Sequence, residues 1–328
     1  MNRINTIILP LLAAAALCSC SKQAAPDSNF PEDRVIRVEA SVLPSTKGSY
    51  TTGNLIEFAF YSKDDSDSRY RYSKKCSRSP YSFVGYIPSW EWEGDAPLWR
   101  NSSDIVGMIA IAPVHSDYQN LSYDTFDVQS GNSGYTFQIQ TEQSSSNNGS
   151  DLIGWFKKGV TSGLLNSNKK VNITFQHLLS KLNLTFVLAT EFNALSIPAS
   201  DIVSDVVIKD ASIDALVQLQ NGNLSAAAAN SATKADVKAY RTGWTAASSK
   251  EDRCRSQWEC ILVPEAGTGI TISFNVNGKS YICTLSNKTL EQGKAHNLTI
   301  IVGKDVATVG SMTIAAWEDG GSSNLETE

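Results

Sequence analysis

Apolar and polar residues alternate along much of this chain, and that period predicts β-strands. At 35–42, the apolar side chains of Ile36, Val38, Ala40 and Val42 are separated by charged or hydroxylated ones. Such alternation directs one set of side chains to a buried face and the other to solvent. Further alternating segments lie at 56–60, 135–139, 171–175, 184–188, 270–276 and 281–285, and an apolar run at 105–112 is typical of a central strand.

The clearest local prediction is a β-hairpin at Asn277-Gly278, which separates two alternating runs. Asn-Gly suits a tight hairpin turn because both residues adopt positive φ at low cost. Three segments are expected to lack strands: 63–75 is a charged, serine-rich loop, 154–170 has no sustained period, and the alanine-rich stretch 225–238 is expected to hold one short helix. Many short strands with few helical windows predict an all-β fold of packed sandwiches.

The amino-terminal residues predict export and lipidation. The apolar run at 7–17 is too short to cross a bilayer core of about 30 Å and is typical of a signal peptide. Leu17-Cys18-Ser19-Cys20 follows and resembles a bacterial lipobox, which implies cleavage between Ser19 and Cys20 and acylation of Cys20. Several acyl chains hold a protein on a membrane better than one. We therefore expect a signal peptide at 1–19 and a lipidated tether at 20–33.

Length and charge narrow the class of protein further. The chain of 328 residues is long enough for two domains, which we expect at 34–168 and 169–328. Its net charge of −5 argues against nucleic acid as a partner, because binding phosphates requires a basic surface.

Four cysteines follow Cys20, at positions 76, 254, 260 and 283. Export makes disulfides chemically available, and four thiols allow three pairings. Cys260 and Cys283 lie on predicted neighbouring strands and form the candidate disulfide, with free structural thiols as the alternative. The cysteine spacing matches no zinc motif.

No constellation of residues predicts catalysis, a cofactor or a bound metal. The chain has three histidines and lacks the motifs of serine hydrolases, zinc proteases and phosphate-binding loops. His177 shares strand parity with Phe175, which favours a packed structural role. Asp64, Asp65 and Asp67 lack the glycine and distal glutamate of a calcium-binding EF-hand, so a solvated loop is expected there.

Trp90 and Trp92 are the aromatic pair with a functional interpretation. On an extended strand both indoles point to one side, where they could stack on sugar rings. They would then make the chain a surface glycan-binding lipoprotein. Packing of the two indoles into the core is the favoured alternative.

Several distinctive motifs occur in a fixed order along the chain. The central one is Asp151-Leu152-Ile153, followed by Phe175-Gln176-His177-Leu178-Leu179-Ser180-Lys181-Leu182. The others are Pro97-Leu98-Trp99, Ile111-Ala112-Pro113, Ile261-Leu262-Val263-Pro264, Leu290-Glu291-Gln292-Gly293 and the closing Ile314–Trp317. Together they resemble the segments of the fimbrillin family of Bacteroidales surface lipoproteins, and the central motif is similar to the signature of that family. His296 or Asn297 stands where the family more usually has an aromatic residue.

The resemblance implies two tandem transthyretin-like β-sandwich domains in a subunit of a cell-surface fimbria. It implies assembly with other fimbrial subunits by β-strand donation, after proteolytic cleavage at an arginine near the first strand. Arg34 and Arg37 are the candidates, and solvent-facing charges on an edge strand are the alternative reading. The expected location is the outer-membrane surface, with a host or bacterial glycan or protein as a further partner.

The carboxyl end favours an accessory tip or anchor subunit over the major stalk protein. The tail at 318–328 is acidic and rich in glycine and serine, so it is not expected to act as a donor strand. Either the strand at 309–317 donates, or this subunit donates nothing.

Overall fold

The structure is a computed structural model that describes residues 29–43, 50–79, 89–128, 131–132, 134–145 and 148–317. The described residues form nineteen β-strands and one short helix, α1 (Tyr123–Phe126). The predicted all-β fold is confirmed. The signal peptide, Ser19, Cys20 and the tail at 318–328 lie outside the described residues.

A seven-stranded sheet contains the amino-terminal strands. Its members are β1 (Arg37–Val42), β2 (Glu57–Asp64), β3 (Arg71–Arg78), β4 (Trp90–Trp92), β5 (Val106–Ala112), β7 (Ile153–Val160) and β8 (Lys170–His177). Their order is β1-β8-β7-β5-β2-β3-β4. All neighbours run antiparallel except β1 and β8, which run parallel.

Three smaller sheets contain the remaining strands. The first, of three strands, is β12 (Asn223–Ala228), β11 (Asp214–Gln220) and β6 (Tyr135–Gln138). The second is β13 (Lys234–Lys238), β10 (Val203–Ser212), β16 (Glu265–Val276) and β17 (Lys279–Leu290). The third is β14 (Tyr240–Thr245), β15 (Arg255–Leu262), β9 (Ser180–Leu188), β18 (Lys294–Val302) and β19 (Ala307–Ala316).

The seven-stranded sheet is apolar on both faces and separates two cores. Along β2, Phe58 and Phe60 point into one core, whereas Ala59 and Tyr61 point into the other. Alternation along a strand produces this division, because successive side chains point to opposite faces. The core on the Phe58 side also contains β1, and the other core extends into the three smaller sheets.

The sheets interleave the two halves of the chain around the expected boundary at 168/169. β8 begins just after that position, yet it pairs with β1 and β7 of the seven-stranded sheet. β6 precedes the boundary and pairs with β11. A division at 168/169 would therefore separate β8 and β6 from the strands to which they are hydrogen-bonded.

Predictions from local sequence succeeded where the alternation of apolar residues and the turn residues indicated the same structure. The hairpin is confirmed: β16 and β17 are joined at Asn277-Gly278, which have φ of 51° and 80°. The helix expected at 225–238 is wrong, because this stretch contains part of β12 and all of β13. Pairing with β11 and β10 overrides the helix preference of alanine.

Two segments predicted without strands also contain them. β7 occupies 153–160, where apolar residues on both faces hide the alternation. The predicted loop at 63–75 contains the end of β2 and the start of β3.

Candidate functional site

The first strand, β1, lies in a groove that distant parts of the chain form. This groove, called the β1 seat below, consists of the edge of β8 and the core residues Phe58, Phe60, Trp99 and Phe175. β1 is an edge strand of the seven-stranded sheet and pairs in parallel with β8 from Arg37↔Lys170 to Val42↔Phe175. Parallel pairing needs a long connection, so the chain between β1 and β8 does not by itself align the two strands. Its contacts with β8 and with the core determine its position.

Four apolar side chains anchor this strand in the core. Ile36 and Val38 are 1% and 2% exposed, and Ala40 and Val42 are also buried. The four apolar residues that alternate with polar ones in this part of the sequence are therefore the buried residues of the strand. Phe58, Phe60, Trp99 and Phe175 belong to the same core.

The amino-terminal end of the strand is also held on its other side. Val35 bridges to Leu98, and the Ile36 amide donates a 2.8 Å hydrogen bond to the Pro97 carbonyl. The Trp92 indole N–H donates to the Ile36 carbonyl at 2.8 Å. This side therefore supports the strand at its start, while β8 supports it along its length.

Trp90 and Trp92, the predicted glycan contacts, pack against this core. Their ring centroids lie 5.0 Å from those of Phe58 and Phe60, respectively. Both indoles are half-buried. The structure thus places them in the wall of the β1 seat, as the packing alternative expected.

The two candidate cleavage residues lie at the start of this strand. Arg34 is exposed, has a φ of 60°, and its carbonyl accepts a hydrogen bond from the Trp99 amide. Arg37 is the first residue of β1, and its guanidinium forms an ion pair with Asp33. That hydrogen-bonded guanidinium lowers the pKa of Asp33 to about 2. A cut after either arginine would leave Val38–Val42 covalently attached to the rest of the chain.

A buried acid–histidine pair joins residues of the family-like signature. His177 Nδ1 lies 2.8 Å from Asp151 Oδ1, and both side chains are buried. The other carboxylate oxygen of Asp151 accepts a 2.8 Å hydrogen bond from the Tyr50 amide. The His177 ring stacks on Trp317, with centroids 4.3 Å apart. Four segments, at residue 50, just before β7, at the end of β8 and after β19, therefore meet at one polar cluster.

Sequence reasoning missed a second buried ion pair nearby. Lys181 Nζ lies 3.1 Å from Glu259, and both side chains are largely buried. The Tyr240 hydroxyl donates a hydrogen bond to the same carboxylate, and burial raises the pKa of Tyr240. Lys181 belongs to the signature and has buried neighbours along its strand. A lysine in such a position could have indicated a buried ion pair from the sequence.

The predicted Cys260–Cys283 disulfide is absent. Cys260 lies on β15 and Cys283 on β17, strands of different sheets, so the expected neighbour relation is wrong. Both are free thiols, as are Cys76 and Cys254, and all four are buried.

These thiols are expected to resist alkylation in the folded protein. Burial raises the pKa of Cys283 to about 11 and raises the pKa values of Cys76 and Cys260 as well. Little reactive thiolate of these three cysteines is therefore present at pH 8, and burial shields the Cys254 side chain from the reagent. Mass spectrometry after iodoacetamide treatment should find the native protein unmodified and the urea-unfolded protein labelled on all four thiols. Rapid native labelling of Cys283 would contradict this expectation.

The aspartates considered as calcium ligands serve other purposes. Asp64 is buried on β2 and lies 3.2 Å from Arg100, and Asp67 caps a short 3-10 turn at Ser68–Tyr70. Within the described ranges, no three His, Cys, Asp or Glu side chains cluster as a metal site requires. In the same part of the chain, no helix has the length and apolar character needed to cross a membrane.

The fold and the β1 seat together describe an all-β protein of several sheets. Its first strand pairs in parallel at the edge of one sheet. A family model described as fimbrillin-like matches residues 46–317. The chain therefore belongs to the fimbrillin-like family, as its motifs indicated. A search of curated proteins finds no match.

Solved structures share the fold at low sequence identity. A candidate cell adhesion protein of Bacteroides uniformis aligns with a TM-score of 0.57 and 17% identity, over 88% of this chain and 99% of its own. A candidate cell adhesion protein of Bacteroides ovatus aligns with a TM-score of 0.59 and 12% identity, over 87% of this chain and 98% of its own. A fimbrial protein of Bacteroides vulgatus aligns with a TM-score of 0.50 and 14% identity, over 86% of this chain and 99% of its own. At these identities the likeness shows the fold alone.

Proposed function

We propose that this chain is a structural and adhesive subunit of a cell-surface fimbria, that lipidated Cys20 holds it on the outer membrane, and that it assembles with other subunits by strand exchange. The seat of β1 carries the proposal. This edge strand is joined to β8 in parallel and fills one core with alternate side chains. A strand from another subunit could take its place, because ladder hydrogen bonds use only the backbone.

The extent of the family match supports this view. It begins at residue 46, after β1 has ended at Val42. β1 thus lies outside the part of the chain that matches the family model. A strand that is replaced during assembly need not belong to the shared part of the subunit.

Within a fimbria, we favour an accessory role as tip or anchor over that of the stalk subunit. Arg34 and Arg37 precede the buried residues of β1, so cleavage at either leaves the seat filled. While β1 stays in place the subunit accepts no donor strand and lies at the end of a fibre; exchange at this position requires that β1 first be released.

Mild trypsin treatment of the folded protein, followed by amino-terminal sequencing and gel filtration, tests this role. We expect cleavage after exposed Arg34, slower cleavage after Arg37 because its backbone pairs with Lys170, and a product that stays monomeric. The control variant Arg34→Gln should lose the first cut. Ladders of oligomers after cleavage would instead establish a stalk subunit.

Strand exchange itself is tested by replacing residues 44–49 with a specific protease site. Cleavage there makes β1 a separate peptide, which a labelled peptide of residues 35–43 should displace. A control peptide with Val38→Asp and Ala40→Asp should fail, because it places charges in the apolar core. Equal uptake of both peptides, or release of the native strand without uptake of the labelled one, would contradict strand exchange.

A further inference from the structure

A cleft lies on the face of the seven-stranded sheet that is opposite the core filled by β1. It encloses about 360 Å³, a volume within the range of small-molecule sites. Residues of β7 and β8 form one wall, and β12 with the connection between β17 and β18 forms the other. The cleft therefore lies at a junction between sheets, a common position for binding sites.

Divergence of two strands creates the opening. β7 and β8 pair only at Ile153↔His177 and Gly154↔Gln176, after which β7 continues along β5 and β8 continues along β1. Gly154 lies at this point, where a larger residue would displace the side chains beside it. A Cβ atom there would lie 2.7 Å from side-chain carbons of both Leu178 and Leu224, which line the cleft.

The lining offers hydrogen-bonding groups that the rest of the described chain does not use. Thr174 and Gln176 of β8 line the cleft, and their side chains make no hydrogen bond with any described residue. Trp155 also borders the cleft, but its indole packs against the core on the other face of the sheet. The Thr174 hydroxyl and the Gln176 amide can each both donate and accept hydrogen bonds.

The opposite wall is held in place by its own hydrogen bonds. Gln292 donates to the Leu224 carbonyl at 3.1 Å and accepts from the Ala226 amide at 2.8 Å. Its amide is therefore fixed to β12, and this wall keeps its shape without a ligand. Such preorganisation reduces the entropy that a ligand must lose on binding.

We infer that this cleft binds a neutral saccharide. No charged side chain lines it, so a charged ligand would lose its hydration without gaining a counter-charge. Hydroxyl groups of a sugar match the amide and hydroxyl of Gln176 and Thr174, which donate and accept alike. The aromatic ring of Phe156, which lies on the cleft side of the sheet, offers apolar surface to the C–H face of a pyranose ring. The site is separate from Trp90 and Trp92 and does not depend on strand exchange.

The test begins with a glycan array carrying neutral, sialylated and sulfated glycans, screened with the soluble chain from Ser21 onward. Neutral glycans captured there, with lactose, cellobiose and maltose as fixed probes, are then titrated by saturation-transfer NMR. We expect saturable binding with a Kd of about 1 mM or tighter. Gln176→Ala and Thr174→Val should each weaken it about three- to tenfold, because each removes a hydrogen-bonding group.

Two controls distinguish the cleft from other sources of binding. Gln218→Ala removes an amide from β11 outside the cleft and should leave the affinity unchanged. The double variant Lys157→Ala and Lys158→Ala alters exposed charges further along β7 and should also have no effect. Circular dichroism verifies that every variant is folded.

Three results would overturn the inference. The first is an array on which no neutral glycan binds. The second is binding that survives Gln176→Ala and Thr174→Val but is lost in Trp90→Ala and Trp92→Ala. The third is binding restricted to acidic glycans and abolished in the double lysine variant, which would indicate an electrostatic surface.

Discussion

Replacing Asp151 with alanine is expected to lower the free energy of unfolding by about 3–5 kcal/mol. The carboxylate is completely buried and contacts both His177 Nδ1 and the Tyr50 amide, each at 2.8 Å. Its removal leaves two buried polar groups without this partner, and water cannot replace it without a cavity rearrangement. Urea denaturation followed by tryptophan fluorescence measures the loss.

Two companion variants identify the source of that loss. His177→Phe keeps a ring against Trp317 but leaves the carboxylate with only the Tyr50 amide, so we expect it to be nearly as destabilising as Asp151→Ala. Asp95→Asn alters an exposed carboxylate and should change stability by less than about 0.5 kcal/mol. If Asp151→Ala unfolds at the same urea concentration as Asp95→Asn, the polar cluster is not a structural element.

Trp99→Ala is expected to be similarly damaging, with a loss of about 3–5 kcal/mol. This indole is 1% exposed and lies in the core that β1 completes, while its backbone amide holds the Arg34 carbonyl. The truncated side chain would leave a large cavity beneath the first strand. Thermal unfolding measures the loss, and hydrogen exchange of Val38 and Ala40 reports whether β1 is released with it.

A conservative change separates packing from hydrogen bonding at this position. The Trp99 indole N–H is buried and has no partner within the described part of the chain. Trp99→Phe therefore removes an unsatisfied donor and should cost less than about 1.5 kcal/mol. Leu195→Ala, at a residue 96% exposed, serves as the surface control. Equal losses for Trp99→Phe and Trp99→Ala would show that the indole N–H matters after all.

Fold class was predictable from the sequence because alternation is a local property. The segments at 35–42, 171–175 and 270–276 all form strands, and their apolar positions are the buried ones. The hairpin at Asn277-Gly278 was predictable for the same reason, since the turn conformation depends on two adjacent residues.

Errors arose where long-range pairing outweighs local preference. The alanine-rich stretch at 225–238 has helical composition, yet its backbone completes ladders with β11 and β10. Cys260 and Cys283 lie on strands close in sequence, but the chain assigns β15 and β17 to different sheets. Neither outcome is visible in a window of ten or twenty residues.

The candidate sites show the same division. The signature identified Asp151, His177 and Lys181, and Trp317 belonged to the closing motif. Their partners were not predictable: the Tyr50 amide binds Asp151 across 101 positions, and Glu259 reaches Lys181 from another strand. The cleft on the opposite face carried no motif at all, because it results from the divergence of β7 and β8.

The sequence by itself determined the all-β class, the period of the strands and the family, since these depend on neighbouring residues and their order. Only the tertiary structure decided which strands share a sheet, that β1 lies in parallel beside β8, and which buried charges meet. Those outcomes depend on contacts between segments that are distant in the sequence, whose free energy is gained only when the chain closes on itself.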